Sequence, residues 1–417
     1  MPRNVVKVLG RLNKAGYRAY LVGGSVRDLM LGRQPKDFDA GTDAKPAEIR
    51  RLFRNSRIIG RRFRLAHIFF QDEVIEVATF RREPDEDEQE SAPGELLITS
   101  DNSFGSPRQD AFRRDFTINA LFYNIDDFTI IDYVGGIDDL EKRTIRCIGD
   151  PSIRFREDPV RMLRACEFAG RLGFGIETKT QQAILDHCGE LTKASTARLT
   201  EELLQLLRSG HAGAVIQWML DLGIVEVLLP EVLEMVVPQE HGAGDLSSLL
   251  PALDAAVTEG RELSDSALVA TILLPAVLGL RGRLEAQRRR ALSRSEVASA
   301  VDRAVAAFQS RYALPKLKGQ GAVDALVVFQ RLCEPGWTVP QRRRFATAEG
   351  FDDALALFEL MVDATGEGGE ALDAWREAAR QRVASKPAGQ RTRNRRRRRR
   401  GRGGRTNSDS QSRTETV

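Results

Sequence analysis

The chain has 417 residues, 42% hydrophobic and 29% charged, with a formal net charge of +4. That length holds two or three domains with real cores, and the absence of a long apolar run or a signal-like N-terminus argues against membrane spanning and export. Cys147, Cys166, Cys188 and Cys333 are scattered without a C-x-x-C pair or a nearby histidine, which excludes a zinc site or disulfide framework and fits reduced thiols in the cytoplasm.

Val5, Val8, Leu9 and Leu12 recur at helical spacing and Gly16 ends the run, so a first helix is expected, followed by a strand over 17–22. Gly23-Gly24 permits a tight turn and close approach of a ligand to the backbone. Ser25 and Asp28 have the spacing of a capping box, and Gly32 is a stop. A helix opening there aims unpaired N–H groups at one spot suited to a phosphate. Lys36-Asp-Phe-Asp39 reads as a strand with Asp37 and Asp39 on one face. Two such carboxylates beside a phosphate cradle favour Mg²⁺, with two ions suiting in-line attack on a nucleotide α-phosphate. The plainer alternative is a simple turn followed by the solvated face of a strand.

Residues 42–53 give a second helix with Pro46 in its first turn, and 57–63, 67–70 and 74–80 are strand candidates. His67 reads as a packed residue. Glu76, among apolar neighbours, either meets the aspartate pair or caps Arg81 or Arg82. Arg61, Arg62 and Arg64 flank an aromatic and either grip RNA or form a solvated loop. Residues 82–99 are acidic and aperiodic, the pattern of a loop. In Arg113-Arg-Asp-Phe-Thr-Ile-Asn119, Asp115 could cap a helix; as site residues, Arg114 would neutralise a triphosphate, Asp115 complete the carboxylate set and Asn119 bond the sugar or a neighbouring loop. Residues 121–125 and 128–133 make a hairpin.

From residue 150 the pattern turns helical. Asp158 and Pro159 have the positions of an N-cap and first helical residue, and Asp158 and Arg161 share a face one turn apart. A carboxylate and a guanidinium so placed can imitate the edge of a complementary base. Helices continue through 179–234 with breaks at Gly210 and Gly223, then over 252–262, 267–280, 296–308 and 351–362. Gln341-Arg-Arg-Arg-Phe345 is either an RNA contact or a solvated helix start. Residues 391–405 carry ten arginines and no acid, among them Arg395, Arg396, Arg397, Arg398, Arg399 and Arg400 in one run. Such a strip stays solvated and binds phosphate backbones without sequence preference.

Leu21-Val-Gly-Gly-Ser-Val-Arg-Asp28, Asp37-Phe-Asp39, Arg113-Arg-Asp-Phe-Thr-Ile-Asn119 and Glu157-Asp-Pro-Val-Arg-Met-Leu-Arg164 together resemble the signature of the class II nucleotidyltransferases. That family contains the tRNA CCA-adding enzymes and the bacterial poly(A) polymerases, and the likeness extends over roughly residues 5–235, leaning to the polymerase branch. The resemblance implies that Asp37, Asp39 and Asp115 are catalytic, with metal on Asp37 and Asp39. Gly23, Gly24, Arg27 and Arg114 would hold the triphosphate of ATP, Asp158 and Arg161 would read adenine, and Arg164 would assist. RNA 3′ ends, and RNA-decay proteins, are the partners implied, with a monomer plausible.

The expected fold is α+β: a nucleotidyltransferase head with a mixed sheet over 1–148, a helical neck over 149–236, a helical RNA-holding domain over 237–385 and a disordered basic tail over 386–417. The expected activity is template-independent addition of AMP to RNA. CCA addition to tRNA is the near alternative, and a non-catalytic RNA-binding protein the alternative from another class.

Overall fold

The computed structural model describes residues 1–60, 64–71, 73–82, 103–230, 233, 246–312 and 315–384. Arg61, Arg62 and the run Arg395 to Arg400 lie outside the described residues, as do residues 83–102; Arg64 is described and exposed.

Helix α1 (Arg3–Lys14) forms as its periodicity predicts, and Val5, Val8, Leu9 and Leu12 are fully buried. It packs on a seven-stranded sheet built from β1 (Ala19–Val22), β2 (Asp39–Thr42), β3 (Ser56–Ile59), β4 (Leu65–Phe69), β5 (Val74–Thr79), β6 (Leu121–Tyr123) and β7 (Ile130–Asp132). The strand order is β3-β4-β5-β2-β1-β6-β7. β2 and β5 are parallel and the other neighbours antiparallel, so the sheet is mixed as expected. Alternation along β1 sends Leu21 into the main core and Val22 to the opposite face, with Phe80, Ala111, Ala120, Phe122 and Ile148. Gly41 is needed on that second face, since a Cβ there would come within 2.6 Å of the Phe80 ring and 2.9 Å of Val22.

After β1 the chain turns at Gly23, whose φ is 72°, into α2 (Gly24–Met30), and Gly32, at φ 68°, ends the excursion. The expected capping box is corrected. Ser25 Oγ donates back to the Val22 carbonyl at 3.0 Å, and the Asp28 carboxylate is taken by Arg27. Asp37 also departs from expectation: β2 begins at Asp39, so Asp37 sits in the approach to the strand and the period of two does not relate the pair. α3 (Pro46–Leu52) has Pro46 in its first turn, and the β6–β7 hairpin closes the far edge of the sheet.

α4 (Pro107–Arg113) and α5 (Gly136–Glu141) complete the head. Strand β8 (Thr144–Ile145) then pairs in parallel with β9 (Gly175–Ile176), tying the head to the helical region. That region contains α6 (Pro151–Glu157), α7 (Val160–Leu172), α8 (Thr178–His187), α9 (Thr196–Leu207), α10 (Ala212–Asp221) and α11 (Ile224–Leu228). α7 lies tightly on α10 because Gly170 leaves space there; a Cβ would come within 2.6 Å of the Val215 side chain and 2.8 Å of its backbone nitrogen. Leu199, Leu203, Leu206 and Leu207 bury one side of α9 and leave its polar side toward α7 and the sheet end.

The remainder is helical: Leu246–Thr258, Asp265–Arg288, Arg294–Arg311, Lys316–Leu332, Val339–Phe345, Phe351–Thr365 and Gly369–Ala384. Lys316–Leu332 and Gly369–Ala384 were not singled out by periodicity. One helix among the described residues, Asp265–Arg288, is long and apolar enough to cross a membrane, which corrects the reading that no such run exists. Every residue from Ala267 to Val277 on it is buried, as befits the central helix of a bundle. One continuous hydrophobic core runs from α1 through α7 and α9 to Trp375.

Candidate active site

An open cleft of roughly 2240 Å³ lies where the end of the sheet meets α7 and α9. It is lined by Gly23, Gly24, Arg27, Asp37, Asp39, Arg113, Arg114, Asp115, Asn119, Asp158, Arg161 and Arg164. Every head and neck residue singled out for catalysis or nucleotide binding is therefore at one place.

The acidic floor is made by Asp39 at the start of β2 and Asp37 two residues earlier, and Glu76 of β5 is the register partner of Asp39. Asp39 remains reachable by water, yet protein surrounds enough of it to desolvate the charge, and Glu76 and Asp37 repel it. Against the pull of Arg114, its pKa is pushed up from 3.8 to about 6. Glu76 itself lies 3.2 Å, Oε1 to Nε2, from His67, its register partner on β4. The partner of Glu76 is thus His67, and the suggestion that it caps Arg81 or Arg82 is corrected. Among the described residues, no group of three or more His, Cys, Asp or Glu makes a complete metal cage. The Asp37 and Asp39 carboxylates are hard oxygen donors of the kind a divalent cation takes.

The glycine corner works differently from a simple phosphate cradle. The Gly23 N–H is spent on the Leu121 carbonyl at 3.1 Å. What both glycines supply is room, since a Cβ on Gly23 would lie 3.0 Å from Arg114 Nη1 and one on Gly24 3.3 Å from Arg27 Nη2. Two guanidiniums can thus stand against the backbone turn. Arg27 is 2% exposed; its Nε donates to Asp28 Oδ1 at 2.8 Å and its Nη1 to Asn119 Oδ1 at 2.6 Å, while burial lowers its pKa. Arg114 donates from Nε to Asp110 Oδ2 at 3.0 Å and from Nη1 to the Asn119 carbonyl at 3.1 Å. Arg113 is depressed to about 9 by burial and by the neighbouring Arg81, Arg114, Arg161 and Arg154 charges.

Asn119 is spent on the neighbouring loop, the second of its two expected roles: its Oδ1 accepts from Arg27 and its Nδ2 donates to Asp115 Oδ1 at 3.1 Å. Asp115 is corrected as well. Its Oδ1 also accepts from the Phe116 N–H at 2.8 Å, and its Oδ2 accepts from Arg164 Nε at 2.8 Å. Burial alone would raise its pKa; the Arg164 charge and these hydrogen bonds outweigh that and lower it. Such a carboxylate is held as a brace for Arg164 and Asn119 and not as a bare metal ligand, with two donors on Oδ1 and Arg164 on Oδ2. The backbone amide it bonds is that of the next residue, so it does not cap a helix either. Arg164, Arg27 and Arg171 surround the Phe168 ring at 5.0, 5.2 and 5.3 Å from its centre.

Asp158 sits at the α6–α7 junction with φ −148° and ψ 88°, and its carboxylate does not cap α7. Both oxygens accept instead from Arg198 of α9, at 2.8 and 3.0 Å. Arg161 is 8% exposed and donates from Nη1 to the Arg154 carbonyl at 3.2 Å and to Glu157 Oε2 at 3.4 Å. The two expected base readers share the cleft, but each is held by another protein group. Arg198 escaped the sequence reading. Its only signal was the polar stripe Arg198, Glu201, Glu202, Gln205 and Arg208, at helical spacing on α9, all of which line the cleft.

Residues 19–146 match the family described as "Poly A polymerase head domain", and residues 173–235 match "Probable RNA and SrmB- binding site of polymerase A". The poly(A) polymerase I of Salmonella typhi is 50% identical over 233 residues, 55% of this chain and 50% of that protein. A CCA-adding enzyme of Bacillus velezensis is 36% identical over 221 residues, 53% of this chain and 54% of that protein. The chain spans about half the length of the curated relatives it matches. The solved structure of the Bacillus stearothermophilus CCA-adding enzyme in complex with CTP superposes with a TM-score of 0.63 at 26% identity, covering 92% of this chain and 83% of that one. The head motifs gathered in one cleft lie in the stretch that matches the poly(A) polymerase head domain, and there the chain is similar to bacterial poly(A) polymerases and to tRNA CCA-adding enzymes.

Proposed function

We propose that this protein is a template-independent RNA adenylyltransferase, adding AMP from ATP to RNA 3′ ends. The 3′-hydroxyl oxygen bonds to the α-phosphorus, the bond to the bridging α–β oxygen breaks, and pyrophosphate leaves with that electron pair while the hydroxyl proton passes to solvent. Asp37 and Asp39 would hold the divalent cation, with two Mg²⁺ ions expected, whose chemistry is to activate the hydroxyl and neutralise the departing pyrophosphate. Arg27 and Arg114, backed by the glycine corner, would hold the triphosphate. Asp158 and Arg161 would select adenine through its amine and ring nitrogen. Asp115 serves by holding Arg164 and Asn119 in place.

The observation that carries this reading is the single cleft in which an acidic floor faces an arginine wall, with the polar stripe of α9 opposite. α9 belongs to the stretch matched by the second family, so the RNA end is assigned to that side. Arg64, with Arg61 and Arg62, and the run Arg395 to Arg400 would add contacts to the phosphate backbone. Tails of this kind would mark RNA for decay in the cytoplasm, with RNA-decay proteins as partners.

CCA addition is the second reading, favoured by the fold shared with a CCA-adding enzyme across most of the chain. The higher identity to poly(A) polymerase I supports the first reading over it. Purified protein given an unstructured RNA, or a tRNA lacking its CCA end, with ATP or CTP separates them. AMP addition to the unstructured RNA supports tailing; CTP incorporation limited to the tRNA overturns it.

A further inference from the structure

We propose that Arg198 is a positioning residue that sets nucleotide choice by fixing the Asp158 carboxylate, an inference that rests on the adenylyl-transfer reading above. Asp158 stands at the junction between two helices, with no capping bond to hold its side chain. A carboxylate there can rotate, and the donor pattern it asks of a base rotates with it. Arg198 removes that freedom. Its Nη1 and Nη2 donate to Oδ1 and Oδ2 at 2.8 and 3.0 Å, a fork that fixes both the position and the plane of the carboxylate.

Each oxygen so engaged keeps a second lone pair for a base amine. The pair is open to the cleft, with 38% of the Arg198 side chain and 23% of the Asp158 side chain exposed. An ion pair this exposed contributes little to stability, so its geometry matters more than its strength. Arg198 can act as a fixed post because the next residue, Leu199, with Leu203 and Leu206, anchors α9 in the core. Arg161 needs no such post, being held by the Arg154 carbonyl and Glu157 of the preceding helix. Of the two base readers, Asp158 is the one whose orientation is borrowed from a distant helix.

The test uses the full chain, RNA, and two nucleotides: ATP and purine riboside triphosphate, which lacks the 6-amino group. Wild-type protein should add AMP and prefer ATP, and that result alone tests the underlying reading. Arg198→Gln should reduce the preference about tenfold, the worth of one charge-assisted hydrogen bond, mainly through KM for ATP. Arg198→Lys keeps the charge without the fork and should recover only part of it. Thermal melting of each variant shows whether α9 remains packed. A preference equal to wild type in a folded Arg198→Gln variant overturns the proposal, and so does a higher KM for RNA at unchanged nucleotide preference. Should the glutamine variant not fold, a lysine variant with undiminished preference overturns it as well.

Discussion

Asp39 and Glu76 are register partners on the parallel strands β2 and β5, so the Glu76 charge stands beside Asp39 where β2 enters the cleft. Folding therefore raises the Asp39 pKa from 3.8 to about 6. A group raised in this way contributes stability that is fully present below its unfolded value and is lost as pH climbs through its folded one. In metal-free protein, Asp39 should cost stability between about pH 4 and pH 6. Asp39→Asn should stabilise the protein near pH 7 by about 1 kcal/mol, the figure being held down by solvent screening at this open site. Urea unfolding of both proteins in a chelator, at low and neutral pH, measures it. An equal gain at both pH values would dissociate the effect from titration.

Asp37→Asn removes one of the two carboxylates assigned to the cation without touching the arginine wall. AMP addition should fall by about three orders of magnitude or more, with RNA retention in a filter-binding assay nearly unchanged. Retained addition would displace the catalytic centre from this floor.

Much of this site was legible in the chain because it is written locally. The periodicity of α1 and the Gly23-Gly24 turn are short-range signals that mark the helix and the corner they were expected to mark, and Asp37-Phe-Asp39 reaches the cleft although only Asp39 stands in the strand. What escaped was pairing across long separations. Asp158 and Arg198 are 40 residues apart, and Asp115 and Arg164 are 49 apart. Sequence period cannot report either, so Asp115 was read as a helix cap or a third carboxylate and Arg198 drew no reading of its own. For Glu76 one of the two readings was an arginine close in sequence, whereas the sheet supplied His67 from the adjacent strand.

Gly23→Ala should show what the glycine corner is for. Its φ of 72° disfavours a side chain, and the new Cβ would press on Arg114 Nη1 from 3.0 Å. The backbone strain costs about 1 kcal/mol of stability. The larger effect should be a KM for ATP raised about tenfold through displacement of Arg114. If the turn served only to let a phosphate approach, Arg114→Ala combined with Gly23→Ala would be additive; if the glycine makes room for the guanidinium, the double variant should be no worse than Arg114→Ala alone.

Asp115 separates two roles that a carboxylate in this cleft can play. As a brace, its removal strands the Arg164 guanidinium, which now has a 2.8 Å partner, and releases the Asn119 amide. Asp115→Asn should therefore destabilise the protein by about 3 kcal/mol at pH 7, with the KM for ATP raised. Because folding lowers the Asp115 pKa, its contribution is present above the ordinary carboxylate value and disappears as pH falls through the folded one. The loss in the variant should accordingly be large at neutral pH and shrink under acid. A metal ligand would behave otherwise: the Mg²⁺ concentration for half-maximal activity would shift strongly while stability changed little. Mg²⁺ titrations of both proteins, alongside urea unfolding, decide between the two, and the geometry calls for an unmoved Mg²⁺ midpoint with a lowered unfolding midpoint.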